Sequence, residues 1–256
     1  MLELNKIHQG DCLEIMKDIP DGSIDMILCD LPYGTTACAW DTIIPFDPLW
    51  EQYERIIKDN GAIVLTAGQP FTSNLVMSNP KMFKYEWIWN KTRPTGSMLA
   101  KKRPLKEHES ILVFYKKQPT YNPQMTKAER IVEKERVVNK GEVNGNVSLK
   151  RKFDNGGLAY PRSIQVFANP NHNSLHPTQK PVSLFEYLIK TYTNENETVL
   201  DNCIGSGTTA IAALNTNRTF IGIEKEKEYV YIANERIKSS QLVAGLKYIN
   251  RRCSLA

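Results

Sequence analysis

The sequence predicts an α/β domain on a Rossmann-like, doubly wound and mostly parallel sheet, and three observations carry that prediction. Short apolar runs at Ile24–Asp30, Ala62–Ala67, Thr198–Asp201 and Thr219–Ile223 have the unbroken hydrophobic character of strands buried on both faces. Segments with apolar residues at helical spacing lie between them. A glycine-rich turn at Gly205–Ser206–Gly207 leads from one such run directly into a helical pattern.

Taken in order, Ile24–Asp30 is a central strand that stops at an acid and a Pro-Tyr-Gly turn. Phe46, Leu49, Trp50, Tyr53, Ile56 and Ile57 recur as one helix face, with Gly61 expected as its C-cap. Ala62–Ala67 is the next strand and 71–77 a short helix; Glu86–Trp89 and Ser110–Tyr115 are two further strands. The rhythm breaks over 116–170, a polar, basic stretch with one short helix expected near Ala128–Val138. This region is expected to be an insertion outside the sheet, within a single domain spanning 1–256. From Pro181 the alternation resumes: a helix carrying Phe185, Leu188 and Tyr192, the strand to Asp201, a helix at Thr208–Leu214, the strand ending at Glu224, and a last helix burying Val230, Ala233 and Ile237.

Composition narrows the class. The chain has 256 residues, 41% hydrophobic and 24% charged, which is ordinary for a globular protein. No apolar run is long enough to span a bilayer, and the N-terminus lacks a secretory signal. Five cysteines form no CxxC and no even framework, so a reducing cytoplasm is expected and disulfide or zinc scaffolds are not. His172 and His176 are four apart, but Asn and Pro surround them, so no metal site is expected. Between Lys91 and Arg162 there are 17 Lys/Arg against 7 Asp/Glu, so the remainder of the chain is net acidic. Aromatics interleaved with that basic stretch tilt it from a merely solvated face towards nucleic acid.

Two turns carry chemistry. In the first, Gly205 and Gly207 let the backbone approach a ligand, and Glu224, at the end of the following strand, suits ribose hydroxyls. A tight structural turn, a dinucleotide site and an S-adenosylmethionine site all fit these residues, with Asp201 at the methionine end in the third case. Only 32 residues follow Glu224, too few for the βα units that a dinucleotide half-domain still needs, so the sheet is expected to be circularly permuted. The second turn is Asp30–Leu31–Pro32–Tyr33, at the carboxyl end of a buried strand. Asp30 and the Leu31 carbonyl can accept hydrogen bonds from an exocyclic amino group. Pro32 fixes the turn, and Tyr33 can stack on a base drawn out of a duplex.

These two turns in this order, with three further segments, resemble the beta class of amino DNA methyltransferases acting on adenine N6 or cytosine N4. The further segments are Gly10–Asp11–Cys12–Leu13, similar to the part that contacts the cofactor's adenine, His176-Pro-Thr-Gln-Lys-Pro181, and Phe220–Glu224. The resemblance covers nearly the whole chain except 116–170, where that class has its target-recognition region. It departs at Leu31, usually proline, and at Asn202–Cys203, often Pro-Phe.

The resemblance implies transfer of a methyl group from S-adenosylmethionine to the N6 of a flipped adenine in double-stranded DNA, as part of restriction-modification. Asp30, Leu31, Pro32 and Tyr33 are the catalytic candidates. Asp11, Cys12, Asp201, Gly205, Gly207 and Glu224 are those for the cofactor; Thr178 and Lys180 either join them or simply lead into the next helix. Lys101, Lys102 and Arg103, with Lys150, Arg151 and Lys152, are candidate phosphate contacts. A second copy of the chain and a cognate restriction endonuclease are further candidate partners. Cytosine-N4 methylation and a catalytically silent DNA-binding module are the alternatives.

Overall fold

The computed structural model describes residues 2–36, 38, 41–128, 136–139, 146–149, 157–169 and 179–253. Contacts divide the chain into a main unit, Met1–Asn122 with Ser163–Ala256, and a smaller one, Pro123–Arg162.

The main unit holds an eight-stranded sheet. In chain order its strands are β1 (Lys6–Gln9), β2 (Ile24–Cys29), β3 (Ile57–Ala67), β4 (Phe83–Thr95) and β5 (Lys106–Phe114), followed by β10 (Ile164–Phe167), β11 (Thr198–Asp201) and β12 (Thr219–Glu224). Their order across the sheet is β1-β12-β11-β2-β3-β5-β4-β10. Five of the seven pairings are parallel; β5 is antiparallel to both its neighbours.

The helices are α1 (Cys12–Ile15), α2 (Phe46–Ile56), α3 (Phe71–Ser78), α4 (Val182–Tyr192), α5 (Thr208–Asn215) and α6 (Lys227–Cys253). Both sheet faces are apolar because successive strand residues alternate sides and neither side meets water. Ile27, Cys29, Ile63, Leu65, Leu112 and Phe114 face α2 and α3, burying Trp50, Tyr53 and Phe71. Met26, Leu28, Val64, Ile111 and Val113 face α4 and α5, burying Phe185, Ile189 and Ala213. Trp87 Nε1 donates to the Tyr192 hydroxyl at 2.7 Å, tying β4 to α4.

This topology gathers chemistry at one edge. β1, β12, β11 and β2 are adjacent and parallel, so Asp11, Glu224, Asp201 and Asp30 stand at neighbouring carboxyl ends. Because β4 runs parallel to β10 and antiparallel to β5, the end of β4 and the start of β5 belong to a single hairpin.

The elements differ from expectation in four places. Gly61 does not cap α2: the chain passes directly from α2 into β3, and Gly61 lies inside the strand, where a Cβ would stand 2.8 Å from the Asp25 carbonyl oxygen. The β2–β3 register slips at this point, so the glycine serves a bulge. Residues 164–167, taken as part of the insertion, form the edge strand β10 paired with β4. At Arg136–Asn139 the chain is a strand paired with Asn146–Leu149, not the helix expected near 128–138; residues 129–135 lie outside the described ones. β1 and α1 had no prediction, because Lys6–Gln9 is a mostly exposed strand with no hydrophobic alternation.

In the smaller unit those two strands are β7 and β8; Thr126–Lys127 (β6) pairs with Leu158–Ala159 (β9). Among the described residues no helix is long and apolar enough to cross a membrane.

Gly61→Ala should lower stability by about 1–3 kcal/mol, since the Asp25 carbonyl cannot move without breaking the sheet. Urea unfolding of the purified variant, read as a lower midpoint, checks this.

Candidate active site

One cavity of about 630 Å³ opens at the carboxyl edge of the sheet, a size that suits a nucleoside-sized ligand. Its lining includes Asp11 and Cys12, Asp30 to Tyr33, Lys180, Asp201 to Ser206, and Glu224. The described catalytic and cofactor candidates therefore converge, with one exception. Gly207 is absent from the lining; its φ of +82° starts α5, and a Cβ there would meet the Ala233 Cβ at 3.0 Å. Its lack of a side chain admits α6. Lys101, Lys102 and Arg103 lie exposed between β4 and β5. Thr178, Lys150, Arg151 and Lys152, like the two histidines 172 and 176, lie outside the described residues.

Asp30 is held by three side chains. Its Oδ1 accepts hydrogen bonds from the Tyr33 hydroxyl at 2.7 Å and from the Thr66 hydroxyl. Its Oδ2 pairs with Lys180 Nζ at 2.8 Å. The Tyr33 ring stacks on Phe71, with centroids 5.1 Å apart, and its hydroxyl is held in its neutral form by burial and by the Asp30 charge. Beyond the turn, Asp41 accepts the backbone N–H groups of Gly34, Thr35 and Thr36 at 2.7–2.9 Å, fixing the loop that leaves Tyr33. Burial would raise the Asp41 pKa, but these bonds and the Thr36 hydroxyl outweigh it and hold it low.

Lys180 lines the same cavity, and its side chain is engaged by two carboxylates. Its side chain points away from the glycine-rich turn, to Asp30 and to Glu109 Oε2 at 3.2 Å, with Nζ 5.5 Å from the Tyr33 ring centre. Only its backbone carbonyl meets the turn, accepting from the Thr208 hydroxyl at 3.4 Å. Burial alone would lower the Lys180 pKa; the Asp30 and Glu109 carboxylates reverse this and raise it. Glu109 is itself buried and bound to Lys91. Burial pushes its pKa up, yet Lys180 and Lys91 more than compensate and hold it low. The result is a buried row of alternating charges, Asp30–Lys180–Glu109–Lys91. Sequence reading counted Lys91 and Glu109 only within a basic stretch, because their proximity depends on the β4–β5 register, which places Glu109 opposite Trp89.

The glycine-rich turn is held from three sides. Asp201 is buried, accepts the Cys203 N–H at 3.1 Å and the Thr209 hydroxyl, and burial pushes its pKa up to about 7. The Gly205 N–H donates to Glu224 Oε2 at 2.8 Å, and burial raises Glu224 as well. Arg236, which sequence reading missed, donates to the Ser206 carbonyl at 2.5 Å and hydroxyl at 2.8 Å. On the opposite wall, Asp11 caps α1 by accepting the Leu13 N–H at 2.9 Å. The Cys12 thiol hydrogen-bonds Cys203, and that bond together with burial keeps it protonated.

Comparison with known proteins agrees with this geometry. A DNA methylase family model, N6_N4_Mtase, matches residues 24–235. The Type II methyltransferase M.BglII of Bacillus subtilis is 32% identical over 257 residues, covering 90% of this chain and 68% of that protein. M1.MboII of Moraxella bovis is 30% identical, covering 91% and 96%. Among solved structures, the M1.HpyAVI–SAM complex superposes with a TM-score of 0.61 at 26% identity, over 90% of this chain and 98% of that one. The cytosine-N4-specific PvuII DNA methyltransferase shares the fold with a TM-score of 0.66 at 17% identity, over 91% and 90%.

The Asp201 environment has a pH signature. In the fold the carboxyl keeps its proton to about pH 7, against an ordinary value of 3.8. The stability it contributes is therefore full below about pH 4 and is lost as pH rises through 7, on the order of 2–4 kcal/mol. Chemical denaturation from pH 4 to 8 should show Asp201→Asn losing less stability than the parent over that window.

Proposed function

The chain belongs to the DNA methylase family whose model spans 24–235, and from that premise we propose that it is a site-specific enzyme methylating the exocyclic N6 of adenine in duplex DNA. The observation that carries this reading is the hydrogen-bond inventory of Asp30. A carboxylate offers about four acceptor positions. Tyr33, Thr66 and Lys180 use three, two on Oδ1 and one on Oδ2. Asp30 lines the cavity shared with the glycine-rich turn, and the position left on Oδ2 would accept one amino N–H.

The family depends on S-adenosylmethionine, and the residues fit it. The cavity is large enough, Glu224 and Asp11 each retain acceptor capacity beside backbone donors, and Asp201 is a buried acid at the head of the turn. Bound there, the cofactor supplies an electrophilic methyl group on a sulfonium sulfur. Glu224 would hold the ribose hydroxyls and Asp11 the adenine amino group, while Asp201 and Gly205 face the methionine end.

Lys180 holds Asp30 in place through their ion pair, and Asp30 accepts a hydrogen bond from the target amino group. The Leu31 carbonyl takes the second amino hydrogen. Together they favour a pyramidal nitrogen with its lone pair aimed into the cavity. Catalysis then comes from orientation and fixed charge, without a covalent intermediate. Phe71 stiffens Tyr33, whose remaining ring surface is a platform for a flipped base.

We assign phosphate contacts to the exposed Lys101, Lys102 and Arg103 and, from the sequence alone, to Lys150, Arg151 and Lys152. We assign sequence recognition to the basic insertion, 116–170. The aspartate heading the tetrapeptide supports adenine over cytosine. The Type II names of M.BglII and M1.MboII support pairing with a nuclease, and a reducing cytoplasm fits such a role.

Incubation with S-adenosylmethionine and unmodified DNA, followed by nucleoside mass spectrometry, should yield N6-methyladenine. Asp30→Ala should lower product formation by about 10³-fold or more while cofactor binding persists. N4-methylcytosine would keep the mechanism and change the base; product formed at the parent rate by Asp30→Ala would refute the catalytic assignment.

A further inference from the structure

The connection between β4 and β5 carries a feature that neither the cofactor site nor the catalytic turn uses. Met98 is 98% exposed, and Leu99 and Leu105, at 38% and 42%, extend the apolar surface beside it. A side chain this apolar and this uncovered gains nothing from water. Three consecutive cations, Lys101, Lys102 and Arg103, follow it and are also exposed.

The tip is a built turn. Gly96 reverses the chain at a φ of +90°, and its carbonyl accepts the Leu99 N–H at 2.9 Å. The Ser97 carbonyl accepts Ala100 N–H at 3.1 Å, and the Leu99 carbonyl accepts Lys102 and Arg103 N–H at 2.8 and 3.0 Å. Met98 is thus presented on a preorganised backbone that ends in positive charge.

The roots of this connection locate it. Thr95 and Lys106 both line the cavity that contains Asp30 and Tyr33. The Lys106 Nζ lies 2.5 Å from where a Gly68 Cβ would stand, and a Tyr33 ring carbon lies 3.8 Å from the same point. The turn therefore rises from the rim on the Tyr33 side.

We propose that Met98 is a wedge that enters the base stack at the position vacated by the flipped target base, with Lys101, Lys102 and Arg103 seated on the flanking phosphates. The charge complementarity of that triplet selects a polyanion as the occupant. An unbranched, polarizable thioether suits an irregular gap between bases, and apolar side chains inserted at base steps offset the cost of unstacking. The inference rests on the reading of the chain as a base-flipping DNA methyltransferase.

The test uses the purified full chain, S-adenosylmethionine, and a duplex bearing the site mapped from the wild-type enzyme's own products. One version has the target base normally paired; the other places it opposite an abasic position, where flipping costs less. Met98→Ala should lower kcat/KM about tenfold on the paired duplex and restore near-parent rates on the abasic one. Met98→Leu should behave as the parent, and so should Met77→Ala, a 71% exposed methionine on α3. Parent-like rates for Met98→Ala on the paired duplex, or equal losses on both duplexes, would overturn the wedge while leaving the methylation reading intact. A wild-type enzyme that methylates neither duplex nor any other DNA would overturn both.

Discussion

The buried ammonium of Lys180 organises this molecule. Taking a lysine out of water costs several kcal/mol unless its charge is matched, and Lys180 is matched twice, by Asp30 at 2.8 Å and Glu109 at 3.2 Å. Glu109 in turn needs Lys91, so four buried or half-buried charges stand or fall together. A row of this kind does little for net stability, because desolvation offsets most of the attraction. What it fixes is geometry. The Lys180 backbone is bonded to Thr208 beside the glycine-rich turn, and its side chain to the head of the Asp30 turn. One residue thereby holds the two turns at a set separation.

The sheet makes this arrangement available. Parallel strands place their carboxyl ends side by side, so β1, β12, β11 and β2 deliver four acids to one edge without any local signal that they belong together. The antiparallel β4–β5 hairpin then adds Glu109, which pairs with Lys180, and Lys91, which pairs with Glu109. Its outward continuation carries Met98 and the basic triplet. The cavity, the Asp30 turn and the exposed turn that carries Met98 are consequences of one strand order.

Much of this was legible in the sequence, and the limits have physical causes. The strands 24–29, 198–201 and 219–224 were readable because both their faces are buried, and the turns after them because an acid or glycine ending such a strand is conspicuous. Gly61 was misread because a glycine after a helical pattern and a glycine in a bulge look alike locally; only the Asp25 carbonyl distinguishes them. Gly207 was read for a ligand when its neighbour is Ala233, a contact that spans the turn and α6. The carboxylate partners of Lys180 were not legible from its motif, because Glu109 is brought to it by strand pairing. Lys91 and Glu109 were invisible for the same reason, since register cannot be read from composition.

Lys180 has two candidate roles, at the cofactor and at Asp30, and one measurement separates them. Lys180→Gln should be compared with the parent for S-adenosylmethionine affinity by calorimetry and for single-turnover methyl transfer to DNA. If Lys180 orients Asp30, transfer falls steeply, by about 10²-fold or more, with cofactor affinity close to that of the parent. A variant that binds the cofactor poorly yet transfers at the parent rate once saturated would contradict the account and return Lys180 to the cofactor.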